Sequence, residues 1–155
     1  MAYCFDTSVY INAWQRDYRP AAFHSFWEKI ETYVDEGQIL TTEEVRIELQ
    51  RKDDQIVAWA KERPHMFVPI DIAIQNAVLT ILARFPRLID TRKNRSGADP
   101  FVIGLAKIQH LTVVTYERSS GNLQKPNIPD VCDSPAIDVE CISLMDMITR
   151  EGWTF

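Results

Sequence analysis

The chain has 155 residues, of which 46% are hydrophobic and 25% are charged. This composition is ordinary for a globular protein and argues against disorder, and the length favours a single domain over residues 1–155. Lys and Arg number 17 and Asp and Glu number 22, which gives a net charge of −5. The negative balance argues against a protein that coats nucleic acid through bulk charge.

The cysteine pattern and the hydropathy pattern exclude three further classes of protein. Cys4, Cys132 and Cys141 are odd in number and irregular in spacing, so they form neither a disulfide framework nor a zinc motif. The longest apolar helical pattern, between Ile70 and Phe85, is interrupted by polar residues and is not a membrane span. The first residues also lack the features of a signal peptide. We therefore expect a cytoplasmic protein with reduced thiols and no membrane partner.

Short apolar runs and helical patterns alternate along the chain. The predicted strands span residues 3–5, 38–40, 66–68 (strand or loop), 111–115 and 139–142. The predicted helices span residues 8–14, 22–34, a segment that contains 45–49, residues 54–63, residues 72–85, a segment that begins at 99, and a last helix that ends at 150.

Local signals mark several ends of these elements. Thr41 with Glu44 three residues later has the pattern of a capping box. Asp99 before Pro100 is typical of a helix cap followed by proline in the first turn. Residues 119–134 are rich in Pro, Asn and Gly, which predicts a loop.

The alternation predicts an α/β protein, with a central, mostly parallel sheet between two layers of helices. In this three-layer α/β/α class, ligands bind at the carboxyl ends of the strands. The candidate functional residues are therefore those that follow strands.

Four carboxylates are predicted at this edge of the sheet. Asp6 follows the first strand, and Glu117 lies two residues beyond Thr115, at the end of the clearest strand. Asp99 begins the helix that leads into that strand, and Glu48 lies on the helix after the second strand. Carboxylates packed together repel one another unless a cation neutralises them, and oxygen ligands suit Mg²⁺ or Mn²⁺. A metal ion held in this way activates water and stabilises charge during phosphodiester displacement.

The motifs around these acids resemble those of PIN domains, in order and spacing, over most of the chain. The matching segments are Asp6-Thr7-Ser8 after a strand, residues 45–49 on a helix, residues 98–106, and residues 113–117. The longer pattern is similar to one PIN-like family catalogued without an assigned function, through residues 23–27, 42–49 and 126–132. PIN domains are typically Mg²⁺- or Mn²⁺-dependent ribonucleases, and many bacterial ones are toxins of type II toxin–antitoxin pairs.

The resemblance implies roles for individual residues. Asp6, Glu48 and Asp99 match the three principal acidic positions, which bind metal and serve catalysis. Glu117 stands where many PIN domains have Asp, a departure that leaves its role as the fourth ligand open. Supporting polar contacts are expected from the hydroxyl residues beside these acids, Thr7, Ser8 and Thr115.

A basic segment precedes Asp99 and is a candidate for binding the RNA backbone. Its cations are Arg84, Arg87, Arg92, Lys93 and Arg95. The alternative is a solvated loop that is basic for solubility. Trp14 and Tyr116 are candidates for stacking on bases, although aromatic residues more commonly pack in a core or an interface.

The resemblance implies a metal-dependent endoribonuclease, the toxin of a type II pair, with a small antitoxin as partner; it also allows a homodimer. Two other interpretations stay open at this point. One is a Mg²⁺-dependent phosphatase or phosphotransfer domain, although Asp6 is followed by Thr-Ser-Val and not by a second Asp. The other is a PIN-like binding module that has lost catalysis, and Glu117 in place of Asp supports it.

Overall fold

Five parallel strands form the centre of the molecule in the computed structural model, which describes residues 2–89 and 97–155. Their order across the sheet is β3-β2-β1-β4-β5. The strands are β1 (Tyr3–Phe5), β2 (Ile39–Thr42), β3 (Phe67–Val68), β4 (Thr112–Val114) and β5 (Cys141–Ile142). All strand pairs are parallel, and the predicted α/β class is confirmed.

Helices flank the sheet and connect its strands. They are α1 (Thr7–Asn12), α2 (His24–Asp35), α3 (Glu43–Lys52), α4 (Asp54–Lys61), α5 (Ile72–Arg84), α6 (Asp99–Gln109), α7 (Ile128–Cys132) and α8 (Leu144–Glu151). Within the described ranges, none of these helices is long and apolar enough to cross a membrane.

The central strand β1 determines where the site forms. It is fully buried, and Cys4 pairs with Leu40 on one side and with Val113 on the other. The chain goes from β1 to β2 on one side and returns to β4 on the other, so the strand order reverses between β1 and β4. Such a reversal opens a crevice at the carboxyl ends of the strands, which is the usual ligand site of open α/β sheets.

The first helix begins one residue earlier than the sequence predicts. Asp6 occupies the cap position, and α1 continues into a single π-helical turn, Ala13–Asp17. The backbone N–H of Tyr18 donates to the carbonyl of Ala13 at 2.8 Å, which closes this wider turn. Turns of this kind are rare and occur frequently at functional sites.

The predicted cap of α3 was wrong by one residue. Thr42 is the cap, and its Oγ1 accepts a hydrogen bond from the backbone N–H of Glu44 at 3.1 Å. Thr41 stays in β2, where its hydroxyl donates to the carbonyl of Phe5 at 2.7 Å. Pairing with β3 extends the strand through both threonines and delays the helix.

Two other boundary predictions were also wrong. Asp99 is the first residue of α6, and Ala98 takes the cap position that the sequence assigned to Asp99. The predicted loop over residues 119–134 contains α7, whose first turn tolerates Pro129 because the N–H groups there lack partners within the helix. Asp130 closes this turn by accepting a hydrogen bond from the backbone N–H of Asn127 at 2.8 Å.

Helices α5 and α6 pack closely at Gly104. A Cβ atom at this position would lie 3.1 Å from a methyl group of Val78 and 3.6 Å from the carbonyl oxygen of Ile74. The missing side chain therefore sets the separation of the two helices. Since α6 begins with Asp99, this contact also places one acidic residue of the site.

We expect the substitution Gly104→Val to lower the free energy of unfolding by about 1–3 kcal/mol, because the added methyl groups overpack the contact with α5. Urea denaturation measures this change. The control is Gln109→Val, which adds a β-branched residue at an exposed position of the same helix. Equal effects of the two substitutions would contradict the role of the close contact.

Candidate metal centre

Asp6 leaves the sheet at the point where β1 and β4 end together. Its backbone N–H donates to the carbonyl of Val114 at 3.1 Å, so the parallel pairing holds the residue in place. Its side chain is 2% exposed, and Oδ2 accepts hydrogen bonds from Ser8 Oγ at 2.6 Å and from Thr115 Oγ1 at 3.0 Å. Two of the predicted supporting hydroxyls thus orient this carboxylate.

Three carboxylates converge beside the carboxyl end of β1. Asp6, Asp99 and Glu117 each offer an oxygen, and these oxygens lie within 4.8 Å of one another. Asp6 and Asp99 are buried and Glu117 is half-buried. Anionic oxygens at this spacing repel strongly in a poorly solvated site, and a hard divalent cation with oxygen ligands relieves the repulsion. This donor set therefore fits Mg²⁺ or Mn²⁺.

Burial changes the pKa of the Asp6 carboxyl. Loss of hydration raises its pKa above the ordinary 3.8, although hydrogen bonds from Ser8, from Thr115 and from backbone N–H groups act in the opposite direction. A carboxyl with a raised pKa destabilises the folded state once the pH is high enough to ionise it. A cation at the site removes this penalty.

Glu48 lies beside the group of three. Its Oε2 accepts a hydrogen bond from Thr7 Oγ1 at 2.6 Å, and its Oε1 accepts one from the backbone N–H of Ala98 at 3.2 Å. Burial raises the pKa of Glu48, and the nearby charge of Asp6 adds to this effect. Thr7 and Ala98 are the chain neighbours of Asp6 and Asp99, so Glu48 ties both flanks of the site to α3.

Glu117 is held by the loop that follows β4. Its backbone N–H donates to Thr115 Oγ1 at 3.0 Å, and its Oε1 accepts a hydrogen bond from the backbone N–H of Ile128, the first residue of α7, at 3.3 Å. The helix α7, which the sequence pattern does not predict, thus helps to place Glu117.

Asp130 organises this loop and was not predicted from the sequence. Its carboxylate accepts hydrogen bonds from the hydroxyl of Ser119, from Ser120 Oγ at 2.9 Å and from the backbone N–H groups of Ser120 and Asn127 at 2.9 and 2.8 Å. Burial raises the pKa of Asp130, but these hydrogen bonds outweigh burial and lower it to about 2. The spacing of Asn127 and Asp130 was the available signal, since it resembles a capping box.

The predicted basic segment is only partly described. Arg84 ends α5, Arg87 lies in the short turn that follows, and both are exposed. Arg92, Lys93 and Arg95 lie outside the described residues. Of the two candidate stacking residues, Trp14 packs against Trp27, with ring centroids 5.0 Å apart.

The domain family of unknown function DUF4411 matches residues 3–155. The chain belongs to the DUF4411 family. No curated protein matches it in sequence.

The fold of this DUF4411 chain is PIN-like. It is similar to a chain in a crystal structure described as VapBC2 from Rickettsia felis bound to a DNA fragment from their promoter. The TM-score is 0.54 at 14% identity, and the match covers 92% of this chain and 98% of the other. At this identity the likeness establishes the fold alone, and it confirms the predicted PIN-like architecture.

We expect Asp6→Asn to stabilise the DUF4411 chain in metal-free buffer at neutral pH. Burial raises the pKa of the Asp6 carboxyl, so its ionised form destabilises the folded chain and its replacement by a neutral amide should raise the Tm. Added Mn²⁺ should then raise the Tm of the wild type more than that of the variant, because binding to the folded state stabilises it. Scanning calorimetry measures both effects. Asp54→Asn, at an exposed position of α4, is the control, and an equal response to Mn²⁺ in wild type and Asp6→Asn would contradict the assignment.

Acid titration tests the role of Asp130. Because its pKa is about 2 in the folded chain and ordinarily 3.8, it stabilises the fold above pH ~4 and loses this contribution as the pH falls towards 2. We expect Asp130→Asn to be less stable than the wild type at pH 6, with a difference that shrinks towards pH 2. Urea denaturation at several pH values measures the difference, and a gap that does not change with pH would refute the role.

Proposed function

We propose that this protein is a Mg²⁺- or Mn²⁺-dependent endoribonuclease and the toxin of a type II toxin–antitoxin pair. One observation carries the proposal: three carboxylates, Asp6, Asp99 and Glu117, meet at the carboxyl edge of a PIN-like parallel sheet. Carboxylates in this arrangement suit a metal that serves phosphodiester hydrolysis. The motif resemblance described above supports RNA as the substrate.

We assign two roles to the acidic residues: three of them would bind the metal ion, and Glu48 would position the backbone beside two of them. Asp6, Asp99 and Glu117 bind the metal ion. Glu48, which is also a predicted ligand, would fix the chain beside Asp6 and Asp99 through its hydrogen bonds with Thr7 and Ala98. Ser8 and Thr115 hold the Asp6 carboxylate in one orientation.

The bound ion supplies activation of water and stabilisation of the charge that develops on the phosphate. The three carboxylates would hold the ion, and the burial of Asp6 and Asp99 limits the access of bulk water to it. The cations of the basic segment would guide the RNA backbone towards the acidic site. They are Arg84, Arg87, Arg92, Lys93 and Arg95.

The partner is proposed on two grounds. The motifs resemble PIN domains, many of which are toxins with a protein antitoxin, and the similar chain of known structure belongs to the VapBC2 complex. A small antitoxin that covers the acidic site would inhibit the nuclease. A homodimer of this chain and a cytoplasmic location are part of the same proposal.

Cleavage of end-labelled structured RNAs tests the proposed function. We expect cleavage with Mn²⁺ or Mg²⁺, none with EDTA, and a loss of at least about 100-fold in Asp6→Asn and Asp99→Asn, because each removes a metal ligand while changing few atoms. Circular dichroism verifies that both variants fold.

Identically purified Asp54→Asn controls for a contaminating nuclease and should cleave like the wild type. Equal cleavage in all samples would refute the site. Metal binding without cleavage of any RNA would favour the non-catalytic module, and hydrolysis of a generic phosphomonoester that depends on Asp6 would favour the phosphatase.

A further inference from the structure

A groove of about 720 Å³ opens directly beside the candidate metal centre. It shares Thr115 and Glu117 with that centre and continues past Tyr116 and Arg118 towards the π-helical turn and the start of α8. Its volume lies in the range of sites that bind small molecules, about 300–1,000 Å³. A polymer held at the metal centre therefore has an adjoining space for its next unit.

Aromatic rings form part of the groove. Tyr116 is half-buried, its backbone N–H donates to Ser8 Oγ at 3.0 Å, and its hydroxyl donates to Asp17 at 2.7 Å. Ser8 also binds Asp6, so the Tyr116 backbone is linked to the metal centre through one hydroxyl. Tyr18 is stacked on Phe26 at a centroid distance of 4.2 Å, which fixes a second ring of the lining.

Two cations lie at the same groove. The Arg16 guanidinium lies 5.7 Å from the Tyr116 ring centroid and is paired with Asp17 at 3.0 Å, with its side chain 63% exposed. Arg118 is exposed, and in residues 2–89 and 97–155 its side chain has no ion-pair partner. Because Asp17 neutralises Arg16 and the acidic Glu117 also lines the groove, Arg118 is the cation of this lining, within the described part of the chain, that can attract a phosphate.

We propose that this groove binds an unpaired nucleotide of the RNA next to the scissile phosphate, with its base against Tyr116 and its phosphate near Arg118. The inference rests on the proposed function and specifies its substrate as single-stranded at this position. Aromatic faces combined with cations are the features that bind single-stranded nucleic acid, because every base has a face that can stack. The shared edge with the metal centre favours RNA over a peptide as the occupant.

Two substitutions of Tyr116 distinguish stacking of a base on its ring from the structural role of its hydroxyl. Tyr116→Leu removes the aromatic face, whereas Tyr116→Phe keeps the ring and removes only the hydrogen bond to Asp17. With a single-stranded RNA substrate we expect Tyr116→Leu to raise KM about tenfold or more with kcat within about twofold, and Tyr116→Phe to stay near the wild type.

The second pair tests the phosphate contact. Arg118→Gln should raise KM and reduce the slope of log KM against log salt concentration by about 1, as expected for one lost phosphate contact. Lys61→Gln is the control, because Lys61 is exposed on α4 and does not line the groove. Equal effects of these two substitutions would overturn the phosphate contact.

A binding measurement distinguishes failure of this inference from failure of the proposed function. In the Asp6→Asn background, fluorescence anisotropy compares a single-stranded RNA with the same RNA carrying one abasic position next to the cleavage site. We expect the abasic RNA to bind about tenfold more weakly, and Tyr116→Leu to abolish this difference. If the wild type cleaves RNA but the Asp6→Asn variant binds the intact and abasic RNAs equally, the groove assignment alone is overturned. Absence of both wild-type cleavage and RNA binding would overturn the proposed function as well.

Discussion

The repulsion between three carboxylates at one edge of the sheet is the constraint around which the rest of the site is arranged. Asp6, Asp99 and Glu117 come from different parts of the chain, and the folded state has to hold them together against their charge. Burial and strand pairing stabilise the fold against this repulsion, because every residue of β1 is buried and β1 pairs with a strand on each side. Hydrogen bonds from Ser8 and Thr115 then orient the most buried of the three.

The burial of these carboxyl groups has an electrostatic cost in the folded chain. The raised pKa of Asp6 shows that its ionised form is disfavoured inside the fold, and burial has the same effect on Glu48. A cation that bound to these carboxylates would recover the free energy that their burial costs on folding, because it would bind the folded state alone. The same property separates the cluster from acidic groups on the surface, which are solvated and carry little of this cost.

The sequence predicted the features that depend on pattern over several residues. The alternation of apolar runs and helical patterns gave the class of fold, and the positions after strands gave Asp6 and Glu117. The exact ends of the helices and strands were harder to predict, because they depend on pairing between distant strands. Pairing with β3 extends β2 through Thr42, and no local signal in residues 41–44 reveals this.

The loop after β4 shows a second reason why part of the structure was not predicted from the sequence. Its composition indicates irregular structure, and most of it is irregular, but the Asp130 carboxylate gathers donors from residues 119–127 and stabilises α7. A carboxylate that accepts hydrogen bonds from hydroxyl and backbone donors up to 11 residues away has no periodic signature. The position of Glu117 in the cluster depends partly on Asp130, because the backbone N–H of Ile128, at the start of α7, donates to the Glu117 carboxylate.

The π-helical turn after α1 has a consequence for how the molecule can vary. A π turn holds one more residue than an α-helical turn, and each residue of a helix rotates the following side chains by roughly 100°. The turn follows Asp6 by seven residues and carries Arg16 and Asp17 into the groove. Loss or gain of one residue there would present a different side chain to the groove while the strand pairing keeps Asp6 in place. The lining of the groove and the acidic cluster are therefore encoded in neighbouring segments that can evolve separately.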